Sequence, residues 1–183
     1  MKTPTNESNR FAILNQRARR RQRGASLLEA IAYLGIAAIV VIGAVALLNG
    51  AFSSASTNEL SEQVTAIQTG VKKLYMGQSG GYADLSNTVL VSAGVLPATV
   101  TVSSAGAVTN SWGGAVTVAG TATNFTIQYA EVPASVCVNA VTGGGGWTSI
   151  KIGSTTEGTL PIAPSQAATD CGSAPVTIVW TSL

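Results

Sequence analysis

The chain has 183 residues, of which 10% are charged and 46% are hydrophobic. This length favours one ordinary domain with an N-terminal extension over two full domains. Because Gly, Ser, Thr, Ala and Val dominate over Leu and Phe, the composition indicates a β-rich, loop-rich body with one strongly apolar segment attached.

The formal net charge of +2 hides an uneven distribution along the chain. Residues 1–24 contain seven basic side chains and one acidic side chain, whereas the remainder contains three lysines and seven acids. A basic leader before an apolar run is typical of a membrane-targeted chain whose basic part stays in the cytoplasm. A nucleic-acid-binding arm is the alternative reading of such a charge cluster. The mildly acidic remainder argues against it, so we expect no direct nucleic-acid partner.

The first predicted element is a long helix from Ser26 to about Met76, ended by Gly77. Its first half contains 19 consecutive uncharged residues, Ala30 to Leu48, and a bilayer span needs about 20. Its second half carries an apolar stripe at helical spacing: Leu60, Val64, Ile67, Val71 and Leu74. Asn49 and Gly50 are poor helix formers, so we hypothesise that the helix bends or melts there on assembly.

Glu29 places a carboxylate near the start of the apolar segment, where it has to be stabilised. If the leader stays attached, a lipid headgroup or Arg23 is a sufficient partner. If the chain is cut after Gly24, the new α-amino group of Ala25 lies one helical turn away. Close packing of such chains would then bring the amine of one subunit to Glu29 of its neighbour, and the helix dipole would favour the acid at this end.

After the helix we expect a long loop with a short helix near Leu85 to Ser92, followed by strands. Alternating apolar residues predict four strands, which begin or centre at Val116, Phe125, Trp147 and Ile178. The glycine run from Gly143 to Gly146 is expected to connect two strands. It lacks the following Lys-Ser/Thr pair, which excludes a phosphate-binding loop.

The sequence contains two cysteines, Cys137 and Cys171, and no histidine. In an exported chain, two distant cysteines predict one disulfide, and two thiols without histidine supply too few ligands for zinc. The acids of the second half are isolated in sequence, and without histidine the usual general base is absent. We therefore expect no catalytic residue, no metal and no cofactor, and a protein that is not an enzyme.

The segment RGASLLEA, with Gly24 before a cut and Glu29 fifth after it, resembles the class III leader of type IV prepilins. Further segments resemble the major pilins of bundle-forming and conjugative thin pili, the type IVb group: NELSEQVTAIQTGVKKLYMGQSGGYADLSNTVLVSAGVLP, NSWGGAVTV and PSQAATDC. The resemblance implies an α+β type IV pilin fold. In that fold one long N-terminal helix packs its C-terminal half against an antiparallel sheet, and a disulfide bounds the C-terminal region.

The resemblance also implies specific roles for residues near the leader. Prepilin peptidase would cut between Gly24 and Ala25, Ala25 would be N-methylated, and Glu29 would act in subunit assembly. Ala25 departs from the Phe, Met or Leu usual at the mature N-terminus. The expected organisation is a leader at 1–24, a membrane-spanning and filament-core segment at 25–50, and a globular head at 51–183, with Cys137 and Cys171 bounding the C-terminal region.

The implied function is the major structural subunit of a type IVb pilus that serves adhesion, aggregation or conjugative contact. The implied partners are other copies in a helical homopolymer, prepilin peptidase, the inner-membrane assembly machinery and an outer-membrane secretin. The precursor would reside in the inner membrane and the product in an extracellular pilus of a Gram-negative cell.

Two alternatives stay open from the sequence. A minor pilin or a type II secretion pseudopilin shares the leader and the long helix. A secreted enzyme with an ordinary signal peptide would be cut after Ala44-Val45-Ala46, which fits the small-residue rule.

Overall fold

The computed structural model describes residues 26–183. The predicted leader and the residues Gly24 and Ala25 lie outside this range. Contacts divide the chain into two units, one ending at Leu47 and the other beginning at Leu48.

The predicted long helix is confirmed as α1, Leu27–Leu74. Its bounds differ from the predicted ones by a residue or two at each end, as helix ends commonly do. The helix is continuous across Asn49 and Gly50 in this single chain. Lys72 and Lys73 occupy its last turn, where positive charge is favoured by the helix dipole.

The stripe predicted for the second half of α1 is buried at four of its five positions: Leu60, Val64, Ile67 and Val71. Leu74 was predicted to be part of the buried face, and this is wrong, since its side chain is 37% exposed. Tyr75 packs against the core instead, with its ring 5.6 Å from that of Tyr82. The buried face also includes Gln63 and Gln68, which the apolar pattern did not predict.

The second unit contains one antiparallel sheet of seven strands. Along the chain these are β1 Thr101–Val102, β2 Val108–Thr109, β3 Ala115–Gly120, β4 Phe125–Val132, β5 Ser149–Ile152, β6 Thr155–Glu157 and β7 Val176–Ser182. Their spatial order is β1-β2-β3-β4-β7-β5-β6. The latest strand in the chain, β7, therefore lies inside the sheet between β4 and β5.

Alternation along the strands decides which face is buried. Phe125, Ile127 and Tyr129 of β4 are fully buried, as predicted, and Ile178 and Trp180 of β7 are buried beside them. Register places Ile127 opposite Trp180. These side chains share one hydrophobic core with the buried stripe of α1.

The short helix predicted in the loop is confirmed as α2, Asn87–Ser92. Asn87 donates from Nδ2 to the carbonyl of Val116 (2.7 Å) and accepts at Oδ1 from the N–H of Val118 (2.8 Å). One amide side chain thus satisfies an acceptor of Val116, where pairing with β2 ends, and a donor of Val118 beyond it. This covers an open sheet edge that could otherwise pair with another chain.

Two helices were not predicted: α3, Ala134–Thr142, and α4, Pro164–Cys171. The expectation that Gly143–Gly146 connects two strands is wrong, because this run follows α3 and leads to β5. The valines of α3 carry the β-branched composition that favours strands. Burial of Val136 and Val141 at helical spacing outweighs that preference.

Candidate functional site

Glu29 lies in the first turn of α1 and takes part in the start of the helix. Its backbone N–H donates to Oγ of Ser26, with a distance of 3.2 Å. Ser26 thus acts as the N-cap, and the sequence Ser-x-x-Glu has the spacing of a capping box. The sequence prediction missed this cap, although the spacing alone would have revealed it.

The carboxylate of Glu29 has a local partner one turn further along α1. The hydroxyl of Tyr33 donates to Oε1 of Glu29 over 3.4 Å, a long hydrogen bond. No other side-chain donor reaches this carboxylate within residues 26–183. The second carboxylate oxygen therefore keeps its capacity to accept from a stronger donor, such as an ammonium group.

The apolar half of α1 is exposed all round in the single chain. Side chains on every side of the helix are accessible, including Leu28 at 80%, Leu34 at 70% and Ile39 at 73%. The helix is long and apolar enough to cross a membrane. A surface of this kind has to be covered by lipid or by protein.

The predicted disulfide between Cys137 and Cys171 is confirmed, with 5.9 Å between their Cα atoms. It joins α3 to the last residue of α4, and both cysteines are buried. The closed loop contains β5 and β6. In the chain-entropy model, closing a loop of this length stabilises the fold by roughly 3 to 4 kcal/mol.

A cluster of polar side chains fastens α1 to the loops that flank the sheet. Oε1 of Glu59 accepts from Oγ of Ser111 (2.7 Å) and from Nε2 of Gln63 (2.9 Å). Gln63 also donates to Oγ1 of Thr99 (3.0 Å). A buried amide has to be hydrogen-bonded to be tolerated, and this one is.

Among residues 26–183, the side chain of Tyr129 is the exception to the rule that buried polar groups are hydrogen-bonded. Its hydroxyl is buried and has no hydrogen-bond partner there. Burial, and next the negative charge of Glu59, raise the pKa of Tyr129 well above its usual value of about 10. The hydroxyl therefore stays neutral at any physiological pH.

Residues 26–183 contain no group of three or more His, Cys, Asp or Glu side chains that could hold a metal ion. Glu131, Glu157 and Asp170 lie on separate elements of the second unit. The features that this part of the chain does bring together are a capped helix start with an acid, an exposed apolar helix and a cross-linked head. They are suited to packing against other molecules.

Comparison with known proteins agrees with this picture. A family model described as PilS N terminal matches residues 54–183. The crystal structure of a type IVb pilin from Salmonella typhi is similar, with a TM-score of 0.55 and 26% identity over 66% of this chain and 95% of that chain. The crystal structure of TcpA, a type IV pilin from the Vibrio cholerae El Tor biotype, covers 70% of this chain and 99% of that chain, with a TM-score of 0.49 and 14% identity. No curated protein matches.

The family match covers well over half of the chain and includes both cysteines, all seven strands and the buried stripe of α1. The fold, with its long helix and antiparallel sheet, is similar to that of the solved type IVb pilin, and this chain also contains the Cys137–Cys171 disulfide. The chain therefore belongs to the PilS N-terminal family and is a type IVb pilin.

Proposed function

We propose that this pilin is the major subunit of a type IVb pilus, made as a precursor with residues 1–24 as leader. Prepilin peptidase would cut between Gly24 and Ala25 and expose the amine of Ala25, which would then be N-methylated. Residues 25–50 would hold the subunit in the inner membrane and afterwards form the filament core. Residues 51–183 would form the head on the surface of the extracellular fibre.

The observation that carries this proposal is the exposed apolar half of α1 below the Ser26 cap. In a membrane-held precursor, lipid covers this surface. In a filament, the apolar helix halves of neighbouring subunits cover one another. Contacts with lipid are replaced by contacts with protein, and no covalent bond needs to be made or broken. Pilins are structural proteins that polymerise, and this surface provides the means.

Glu29 would determine how neighbouring subunits align. The residue directly before the Ser26 cap is the proposed new N-terminus, so its amine would lie beside the same helix start. A carboxylate and an amine about 4 Å apart attract each other by about 4 kcal/mol at an effective dielectric constant of 20. A carboxylate costs roughly 2.5 to 3.5 kcal/mol at the centre of a membrane-spanning helix and less near its end, where Glu29 lies, so the attraction exceeds the cost. Pairing between subunits would thus remove a penalty that an unpaired acid would retain.

Export would require the inner-membrane assembly machinery and an outer-membrane secretin, and the fibre would act in adhesion, aggregation or conjugative contact. These partners and outcomes rest on membership of the family. A minor pilin would share α1 and the leader but would be scarce in the fibre. Quantifying the protein in purified filaments distinguishes the two roles.

The decisive experiment combines processing and assembly. Intact-mass measurement of the mature protein is expected to give a chain that starts at Ala25, with or without one added methyl group. A start at Leu47 would instead identify an ordinary signal peptide, although α1 passes through that position without a break.

Glu29→Ala is expected to abolish filaments in electron micrographs while the subunit stays in the membrane fraction. Glu62→Ala is the matched control, because Glu62 is an exposed acid on the same helix and is expected to leave piliation unchanged. Normal piliation in the Glu29 variant would refute the assembly role.

A further inference from the structure

The second unit contains a cleft of about 150 Å³ between α1 and the glycine loop that follows α3. Two tryptophans, Trp147 and Trp180, lie along it, with their ring centroids 6.3 Å apart. The remaining lining residues are Leu60, Ser61, Val64, Thr65, Ala140, Gly143, Gly144 and Gly145. Neither polymerisation nor membrane anchoring accounts for this cleft.

The wall formed by the glycine loop is held in place by α1. Nε2 of Gln68, a buried side chain, donates to the carbonyl of Gly145 over 3.3 Å. Gly144, Gly145 and Gly146 all have positive φ angles, which other residues rarely adopt. A Cβ on Gly145 would lie 2.7 Å from Nε1 of Trp147, so only glycine lets the indole lie this close to the loop. The glycine loop therefore holds this wall of the cleft in one conformation.

The two indoles offer hydrogen bonds that the chain itself does not use. Neither indole N–H donates to an acceptor within residues 26–183, although Trp180 is only 2% exposed. The N–H of Trp180 is nevertheless not sealed off, because the hydroxyl of Tyr129 is the one buried side-chain polar atom without a partner among these residues. A ligand in the cleft could supply the missing acceptor.

The chemistry of the lining restricts what that ligand can be. No lining residue is charged, which disfavours phosphates, carboxylates and amines. Ser61 and Thr65 add hydroxyl groups, and the half-buried Trp147 adds apolar ring surface, whereas Trp180 is 2% exposed and adds little surface. An engineered, closed cavity of about 150 Å³ holds one benzene ring, so a six-membered ring with larger substituents would occupy this partly open cleft with those substituents directed outward. A sugar in its pyranose form has the required combination of a six-membered ring, an apolar C–H face and many hydroxyls.

We propose that this cleft, defined by Trp147, Trp180 and the glycine loop Gly143–Gly146, binds a neutral pyranose. The apolar face of the sugar packs on an indole ring, and its hydroxyls accept from the free indole N–H groups and exchange hydrogen bonds with Ser61 and Thr65. Binding of this kind goes beyond polymerisation and does not depend on it.

A second cavity, of about 250 Å³, indicates how a longer ligand continues. It shares Gly144, Gly145 and Trp147 with the cleft and extends to Leu160 and Pro161. Trp147 is thus accessible from two sides. A disaccharide can place one ring in each cavity and contact Trp147 with both, so we expect it to bind more tightly than a single sugar.

The test uses the full chain in micelles of lauryldimethylamine oxide, a detergent without sugar groups. The probes are methyl β-D-galactopyranoside and methyl β-D-glucopyranoside, titrated while saturation-transfer NMR monitors their ring protons. For one small ring in a partly open cleft, the expected Kd is on the order of millimolar. Trp147→Leu is expected to weaken binding by about tenfold or more, since it removes the stacking surface.

Two further variants make the result specific to the cleft. Trp180→Phe keeps an aromatic ring in the core but removes the N–H donor, so it is expected to weaken binding several-fold without unfolding the head. Trp112→Leu is the matched control, because Trp112 is half-buried and lies outside the cleft. This variant is expected to bind the sugars with the same affinity as the natural chain. Circular dichroism of each variant confirms that the fold is retained.

Two outcomes would overturn the proposal. One is the absence of saturation transfer to either sugar at concentrations of tens of millimolar. The other is equal binding by the natural chain and by a folded Trp147→Leu variant, which would place any sugar contact elsewhere. Both readouts use unassembled subunits, so failure here is independent of whether Glu29 acts in assembly.

Discussion

The side chain of Gln68, on α1, donates from Nε2 to Oγ of Ser182, at the end of β7, over 3.3 Å. The two residues are 114 positions apart in the chain, and both are buried. The same amide also holds the Gly145 carbonyl. A single glutamine therefore fastens the long helix to the strand inside the sheet and to the glycine loop.

Replacing Gln68 by Leu is expected to destabilise the head by about 1 to 3 kcal/mol, because the buried Ser182 hydroxyl loses its donor and the exposed Gly145 carbonyl loses its link to α1. Urea denaturation of the detergent-solubilised chain measures this loss. Gln166→Leu is the control, since Gln166 is an exposed helical glutamine that bonds only to Asp170, and it is expected to change stability by less than about 0.5 kcal/mol. Equal losses in the two variants would contradict the fastening role.

Tyr129 has a buried hydroxyl without a partner among residues 26–183, so removing that hydroxyl is expected to be harmless or favourable. Tyr129→Phe should keep or raise the free energy of unfolding at pH 7, by up to about 1 kcal/mol. A loss of more than 1 kcal/mol in urea denaturation would show that the hydroxyl has a stabilising partner after all.

The raised pKa of Tyr129 also predicts a pH dependence of stability. Below pH 10 the hydroxyl is neutral in both the folded and the unfolded chain, so its ionisation does not reduce the free energy of unfolding there. Above pH 10 the unfolded chain loses this proton while the folded chain retains it, so stability falls as pH rises, by up to about 1.4 kcal/mol per unit. Urea denaturation between pH 10 and 11 is expected to show a smaller decline for Tyr129→Phe than for the natural chain. Identical declines would contradict the pKa direction.

Loss of the disulfide is expected to weaken the head selectively. The double variant Cys137→Ser, Cys171→Ser should lose roughly 3 to 4 kcal/mol of stability, and reduction of the natural chain should have a similar effect. Thermal melting with and without a reducing agent measures both. The double variant itself is the control for reduction, since its melting temperature should not respond to the reducing agent.

Gly50 lies in a stretch of α1 whose backbone is weakly supported. The hydroxyl of Ser54 donates to the carbonyl of Gly50 (3.1 Å), and that of Thr57 donates to the carbonyl of Ser53 (2.8 Å). Such side-chain bonds compete with the helical ladder and favour bending. With glycine's low helix propensity, they support the hypothesis that α1 opens near Asn49 and Gly50 on assembly.

Gly50→Ala tests this hypothesis, because a Cβ at Gly50 meets no other atom within 4 Å. The substitution should stabilise the helix by about 1 kcal/mol and thereby reduce the number of filaments. Thr69→Ala is the matched control, because it raises helix propensity at an exposed position of α1 outside the proposed filament core, and it should preserve piliation. Cryo-EM of natural filaments with α1 unbroken through Gly50 would refute the hypothesis.

The parts of the fold that could be predicted are those in which one signal extends over many residues. The 19 uncharged residues and the stripe beginning at Leu60 determine α1, and alternation from Phe125 determines β4. The disulfide followed from there being only two cysteines. Helix α3 could not be predicted because it is short and valine-rich, so local propensity opposes the structure that burial stabilises.

The candidate sites divide in the same way. Glu29 could be identified from the sequence because an acid is unusual in an apolar segment. Tyr33 could not, because its role depends on the helix, which brings its hydroxyl to the Glu29 carboxylate one turn away. The tryptophan cleft depends on contacts between α1, the glycine loop and β7, which are far apart in sequence. Pairings over such separations leave no local pattern.

The position of β7 inside the sheet also sets an order of events in time. The hairpin of β5 and β6 precedes β7 in the chain, yet among the described strands it joins the sheet through pairing with β7 alone. Before β7 pairs with it, the hairpin has no neighbouring strand in the sheet. It lies in the loop that the Cys137–Cys171 disulfide closes. If the disulfide forms first, it keeps the hairpin in a loop that begins in α3, the element directly after β4, so that β7 would insert between two strands already held close together.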